Sequence, residues 1–205
     1  MNLAEHFKGW TVFLDRDGVI NHKLENDYVK DWSEFRFCEN ALLAICELSK
    51  IFKYIVVVTN QRGVGKGLYS EEQLREIHKK MMIEVQKSSG RVDQVYYCSD
   101  VNDDSICRKP NVGMALKARQ DFPEINFSKS FMVGDSLSDM EFGTKLEMKR
   151  VYISRNSNVL MNSINIDFDY TFSSLNDFAE ACKNLILDKR SPNSSGTSII
   201  SHIKI

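Results

Sequence analysis

The chain has no long apolar run, no strong charge of either sign and no paired set of cysteines. No stretch approaches the roughly 20 apolar residues that a membrane span needs, and the N-terminus shows neither the basic nor the hydrophobic region of a signal peptide, so a cytoplasmic protein is expected. A net charge of -1 over 205 residues offers no global attraction to nucleic acid or to an acidic membrane. Any binding of phosphate must therefore be local. The five cysteines, Cys38, Cys46, Cys98, Cys107 and Cys182, are odd in number and scattered, which argues against a disulfide framework and for thiols that are mostly reduced and buried. There is no internal repeat. The 42% hydrophobic and 27% charged content is that of an ordinary soluble protein, long enough for one well-buried domain and short for two. Residues 1–190 are read as that domain, a monomer by default. Residues 191–205 form a linker-like tail, beginning Ser191-Pro192-Asn193-Ser194 and closing in an apolar stretch, 199–205, that is expected to fray.

Short β-rich apolar runs alternate with longer stretches of helical period. Residues 11–14, 54–58, 95–98, 131–133 and 151–153 read as strands buried on both faces, and 39–50, 70–87, 112–122 and 136–146 as helices. Ser70 with Gln73 three residues on has the form of a capping box. The alternation predicts an α/β fold: a doubly wound, mostly parallel Rossmann-like sheet with helices on both faces and a site at the carboxyl ends of its strands.

The first run ends in Asp15 and Asp17. Residues i and i+2 of a strand share a face, so these carboxylates converge where the backbone leaves the sheet. One can then act as nucleophile and the other as acid or base, with a divalent cation offsetting their charge. Taken alone, Asp15-Arg16-Asp17-Gly18 is equally a polar turn. Its company decides the matter. Thr59-Asn60-Gln61 ends the second run, Arg108-Lys109-Pro110 follows the third, and Gly134-Asp135-Ser136 ends the fourth with Asp139 close behind. Acidic, hydroxyl and cationic groups thus gather on one rim.

These four ordered motifs resemble those of the haloacid dehalogenase-like phosphatases, and the resemblance spans most of the chain. More narrowly, residues 13–21, 27–29, 57–61 and 98–113 are similar to the D,D-heptose 1,7-bisphosphate phosphatase and histidinol-phosphatase branch. The resemblance implies a Mg²⁺-dependent phosphomonoesterase acting on a small phosphorylated metabolite, a sugar bisphosphate first and histidinol phosphate second. It implies Asp15 as the nucleophile that carries an aspartyl phosphate and Asp17 as acid and base. Asp15, the backbone carbonyl of Asp17 and Asp135 would hold the metal, with Asp139 and Ser136 ordering the hydrogen bonds around it. Thr59 can donate to a phosphoryl oxygen and Lys109 can supply positive charge. Arg108 suits a second anionic group. Asn21, Tyr28, Asn60, Gln61 and Arg62 are the further candidates for contact with substrate.

Other features carry less. Gly63-Val64-Gly65-Lys66-Gly67 is not a Walker loop, because Asn60 stands where that pattern needs glycine and Gly67 where it needs Ser or Thr; it reads as a flexible loop at the mouth of the site. In the heptose branch the segment around Cys98 and Cys107 commonly holds a structural zinc through Cys-x-His and Cys-x-Cys. Here Asp100 and Ser105 replace two of those ligands, so zinc is not expected. No large insertion interrupts the chain after Asp17 or before Lys109, which implies no large cap domain and leaves specificity to the loops 21–30 and 60–68. A phospho-aspartate signalling domain is the competing class. It places its nucleophile after the third strand, where this chain has Cys98-Ser99-Asp100, and it has no need of an acid such as Asp17.

Overall fold

The computed structural model of the chain describes residues 7–154 and 167–188. The tail read as 191–205, and with it the proposed domain boundary, lies outside the described residues. Six parallel strands form one sheet in the order β3-β2-β1-β4-β5-β6. They are β1 (Thr11–Leu14), β2 (Tyr54–Asn60), β3 (Gln94–Cys98), β4 (Ser130–Gly134), β5 (Lys149–Ile153) and β6 (Tyr170–Phe172). The helices are α1 (Ala41–Ile51), α2 (Arg62–Gly65), α3 (Glu71–Lys87), α4 (Gly113–Asp121), α5 (Leu137–Lys145) and α6 (Leu175–Asp188). None of the described helices is long and apolar enough to cross a membrane.

Strand alternation divides the core in two. Val12, Leu14, Ile55, Val57, Phe131 and Val133 join residues of α1, α3 and α6 in one cluster. The intervening Phe13, Val56, Val58 and Met132 pack with Met114, Ala115 and Ala118 of α4 and Phe142 of α5 in the other. A parallel sheet needs both faces covered, and the near-continuous Val/Ile/Phe runs supply both sets from the same residues. At the start of α3 the capping box forms: Ser70 Oγ accepts from the Gln73 amide (3.1 Å) and Gln73 Oε1 accepts from the Ser70 amide (2.8 Å).

Three features depart from the sequence reading. The segment expected to be a flexible loop holds the one-turn helix α2. The chain continues past β5 into β6 and α6, which no pattern announced. The sulfurs of Cys98 and Cys107 are joined in a disulfide, with Cα atoms 5.5 Å apart, where reduced thiols were expected. Cys98 ends β3 and Cys107 lies nine residues later, so the loop between them turns the two toward each other. Cys46 and Cys182 are buried thiols.

Candidate active site

The rim is built from β1 outward. Beyond its last residue the Asp15 amide still donates to the Val133 carbonyl (2.9 Å), so Asp15 is fixed by the ladder to β4. The chain then turns tightly: the Gly18 amide donates to the Asn21 carbonyl, and the amides of Ile20 and Asn21 donate to the Arg16 carbonyl. Gly18 has φ +97°, and a Cβ there would lie 2.1 Å from Oδ2 of Asp135. Both its conformation and the approach of Asp135 require glycine.

Lys109 is buried behind Asp15 with three oxygens around its ammonium, one a hydrogen-bonded carbonyl and two in ion pairs. Its Nζ lies 2.8 Å from Asp15 Oδ1, 2.6 Å from Asp139 Oδ1 and 2.8 Å from the Val58 carbonyl. The second oxygen of Asp139 accepts from the amide (3.1 Å) and hydroxyl (2.6 Å) of Ser136. Burial drives the Asp15 carboxyl upward; Lys109 opposes the rise, Asp139 and Asp135 add to it, and the balance leaves it at about 7. Asp135 is raised as well, mainly by burial. The oxygens of Asp15, Asp135 and Asp139 lie within 4.8 Å of one another.

Asp17 faces the opposite balance. Burial would raise it, but the charge of Arg16 and hydrogen bonds from Asn21, Arg16 and Gln61 hold it below the usual carboxylate range. Asn21 Nδ2 donates to Oδ1 (2.9 Å) and Gln61 Nε2 to Oδ2 (2.8 Å), while Gln61 also donates to Thr59 Oγ1 and accepts from the Tyr69 hydroxyl. Asn21 and Gln61, expected on the substrate wall, are buried; Asn21 braces Asp17, and Gln61 braces both Asp17 and Thr59. Arg16 is also buried, donating from Nη2 to Asp17 (2.9 Å) and meeting His78 Nε2 of α3 with Nη1 (3.1 Å).

A cavity of about 240 Å³ opens above Asp15, Asp17, Thr59 and Lys109, walled by Lys23, Tyr28, Asn60 and Arg108 among others. Asn60 pairs with the backbone of Lys109 in both directions, donating to its carbonyl (3.0 Å) and accepting from its amide (2.9 Å). At the mouth, Asp103 accepts from both Arg62 Nη2 and Arg108 Nε. Arg62 does not line the cavity; this ion pair holds it at the mouth. Beneath lies the cluster of Cys98, Asp100, Ser105 and Cys107. Its sulfurs are bonded to each other, and in that state they offer no thiolate pair to a soft tetrahedral ion.

The family model described as polynucleotide kinase 3 phosphatase matches residues 12–181. The chain is a haloacid dehalogenase-like phosphatase. The D-glycero-alpha-D-manno-heptose-1,7-bisphosphate 7-phosphatase of Mycobacterium bovis is 39% identical to it over 133 residues, 64% of this chain and 70% of that protein. The D-glycero-beta-D-manno-heptose-1,7-bisphosphate 7-phosphatase of Escherichia coli is 32% identical over 180 residues, 84% of this chain and 93% of the relative. Among solved structures, the D,D-heptose 1,7-bisphosphate phosphatase from B. bronchiseptica, complexed with magnesium and phosphate, superposes with a TM-score of 0.75 at 26% identity, covering 87% of this chain and 99% of its own.

In this phosphatase the donor set around Asp15 and Asp135 consists of carboxylate oxygens, raised toward protonation chiefly by burial, and fits a hard divalent cation. The sequence reading missed Lys23 and His78. Nothing in the polar run 21–30 marks Lys23, whereas His78 stands among Leu74, Ile77 and Met81 on the buried stripe of α3, a polar residue on an apolar face that calls for a partner.

Proposed function

We propose that this phosphatase is Mg²⁺-dependent and removes one phosphate from a small sugar bisphosphate, D,D-heptose 1,7-bisphosphate being the first candidate. The observation that carries the reading is a buried carboxylate, Asp15, held at the floor of a cavity between Lys109 and the acids Asp135 and Asp139, with cationic Lys23 and Arg108 on the walls. The names of the relatives support the sugar bisphosphate.

Asp15 attacks phosphorus, its oxygen forming the new P–O bond as the bond to the leaving oxygen breaks and that oxygen takes a proton from Asp17. Water then attacks the aspartyl phosphate, Asp17 takes the proton, and the P–O bond to Asp15 breaks to release phosphate and restore the carboxylate. Asp17 is held ionised in the resting structure, ready as the base of the second step; as the acid of the first it must take up a proton when substrate binds. Thr59 donates to a phosphoryl oxygen. Lys109 holds Asp15 and its positive charge opposes the negative charge of the transferring group. Asp15, the Asp17 carbonyl and Asp135 would hold Mg²⁺, whose charge offsets that of the carboxylates and the phosphate. Arg108 takes the second anionic group, and Tyr28 and Asn60 border the sugar.

The test is phosphate release from D,D-heptose 1,7-bisphosphate, histidinol phosphate and a 3′-phosphorylated oligonucleotide, with and without Mg²⁺. The heptose is expected to lead by about a hundredfold in kcat/KM, equivalent to about 2.7 kcal/mol in the transition state. Release should need Mg²⁺ and vanish in Asp15→Asn; an Asp15→Asn variant of undiminished activity would refute the covalent mechanism. A lead for the oligonucleotide would move the assignment to the substrate named in the family description.

A further inference from the structure

The cavity has two lysines, and they are held in opposite ways. Lys109 is buried and enclosed by oxygens of three residues, two of them carboxylates in ion pairs with it. Lys23, on the loop after β1, has more than half of its side chain exposed (56%) and its Nζ lies 3.3 and 3.4 Å from the two oxygens of a single carboxylate, Asp135. Among the described residues it is the only ion-pair partner of Asp135, and it also lines the cavity. An ammonium at the long end of hydrogen-bond range on a flexible four-carbon stem is an exchangeable partner. Asp135 is one of the residues read above as holding the divalent cation. A dication and Nζ on one carboxylate repel each other, so Lys23 must leave when the metal arrives. Because Lys23 lines the cavity, a phosphate bound there offers its ammonium a new anionic partner.

We infer that Lys23 is an exchangeable cation that caps Asp135 in the metal-free enzyme and turns to the anionic oxygens of the ligand once a divalent ion takes its place. The inference rests on the reading of Asp15 and Asp135 as metal ligands, and it gives one residue two effects of opposite sign. Lys23 competes with metal and assists phosphate. A lysine with a merely structural role would not do both.

The experiment is calorimetric titration of the full chain, stripped by chelator, with Mg²⁺, followed by titration of the Mg²⁺-saturated protein with inorganic phosphate. The proteins are wild type, Lys23→Met, Lys23→Arg and Asp135→Asn. Because half-exposed ion pairs are weak, Lys23→Met is expected to bind Mg²⁺ only about three- to tenfold more tightly, and phosphate more weakly by a similar factor, while Lys23→Arg stays near wild type in both. If Lys23→Met binds Mg²⁺ no more tightly than wild type while Asp135→Asn loses it, the metal reading stands and the role of Lys23 is overturned. Tighter Mg²⁺ binding with unchanged phosphate affinity overturns the turn toward the ligand. If Asp135→Asn binds Mg²⁺ as well as wild type, the metal reading itself falls and the inference with it.

Discussion

A guanidinium buried at 1% exposure keeps its charge only beside groups that can receive its protons, and Arg16 has Asp17 on one side and an imidazole on the other. Because guanidinium has no acceptor, His78 Nε2 must be the receiving atom and the ring must be neutral with its proton on Nδ1. Burial and then the Arg16 charge push His78 down to about 3. The sign of its effect on stability follows. In the unfolded chain the ring takes a proton near its ordinary value of about 6.5, whereas in the fold it resists until about pH 3, so acid draws the protein toward the unfolded state across that window. His78→Gln keeps an acceptor for Arg16 and removes the titration. Urea denaturation of both proteins between pH 7 and pH 4 is expected to show wild type losing ground to the variant as pH falls, by at most about 1.4 kcal/mol per pH unit. Parallel losses in the two proteins would show that His78 does not titrate in this way.

Lys109 belongs to no strand or helix, yet its position behind Asp15 must be set closely. The device is Asn60, the last residue of β2, whose side-chain amide pairs with the Lys109 backbone in both directions as a neighbouring strand would. Asn60→Ala is expected to cost about 1–3 kcal/mol in stability, read from thermal melts, and to lower kcat about 10- to 100-fold by letting the ammonium shift. Asn60→Asp keeps the acceptor for the Lys109 amide and should fall between. An alanine variant with wild-type kcat would show that the lysine finds its place without Asn60. Most elements were legible beforehand because period and burial agree in them: β1 has the residues expected, and β2 through β5 extend only one or two residues beyond. The rest gave weaker signals. Three residues, Tyr170–Phe172, are too few for alternation to register, and two glycines in Arg62–Gly65 read as a loop, although its turn closes by hydrogen bonds from Lys66 to Arg62 and Gly67 to Val64. The disulfide was illegible because pairing depends on where a loop turns, which cysteine spacing does not encode.

At the scale of the whole molecule, the sequence brings to one rim those candidate site residues that lie near a strand end, because the fold class alone puts strand ends there. Asp15, Asp17, Thr59 and Asp135 are of this kind. It does not separate residues that face the cavity from those one layer below: the hydrogen bonds that Asn21 and Gln61 give to Asp17 have no signature in the sequence. The pairing between strands has a further consequence. Leu14 lies level with Val57 of β2 and Val133 of β4, so Asp15 stands one residue past that line and Thr59 and Asp135 two. An added glycine after the exposed Ser89, in the turn between α3 and β3 and at the far end of the strand from the site, leaves this line alone and is expected to retain activity within about twofold, at a cost of a few degrees in the melting temperature. Deleting Phe13 draws Asp15 back by about 3.3 Å and turns it to the other side of the sheet, and activity should be lost. Loss of activity in the glycine insertion, with the protein still folded, would show that the far turns also constrain the site. The catalytic arrangement is thus written in the chain as a set of strand lengths, and the lineage is free to lengthen or shorten its outer turns while those counts are kept.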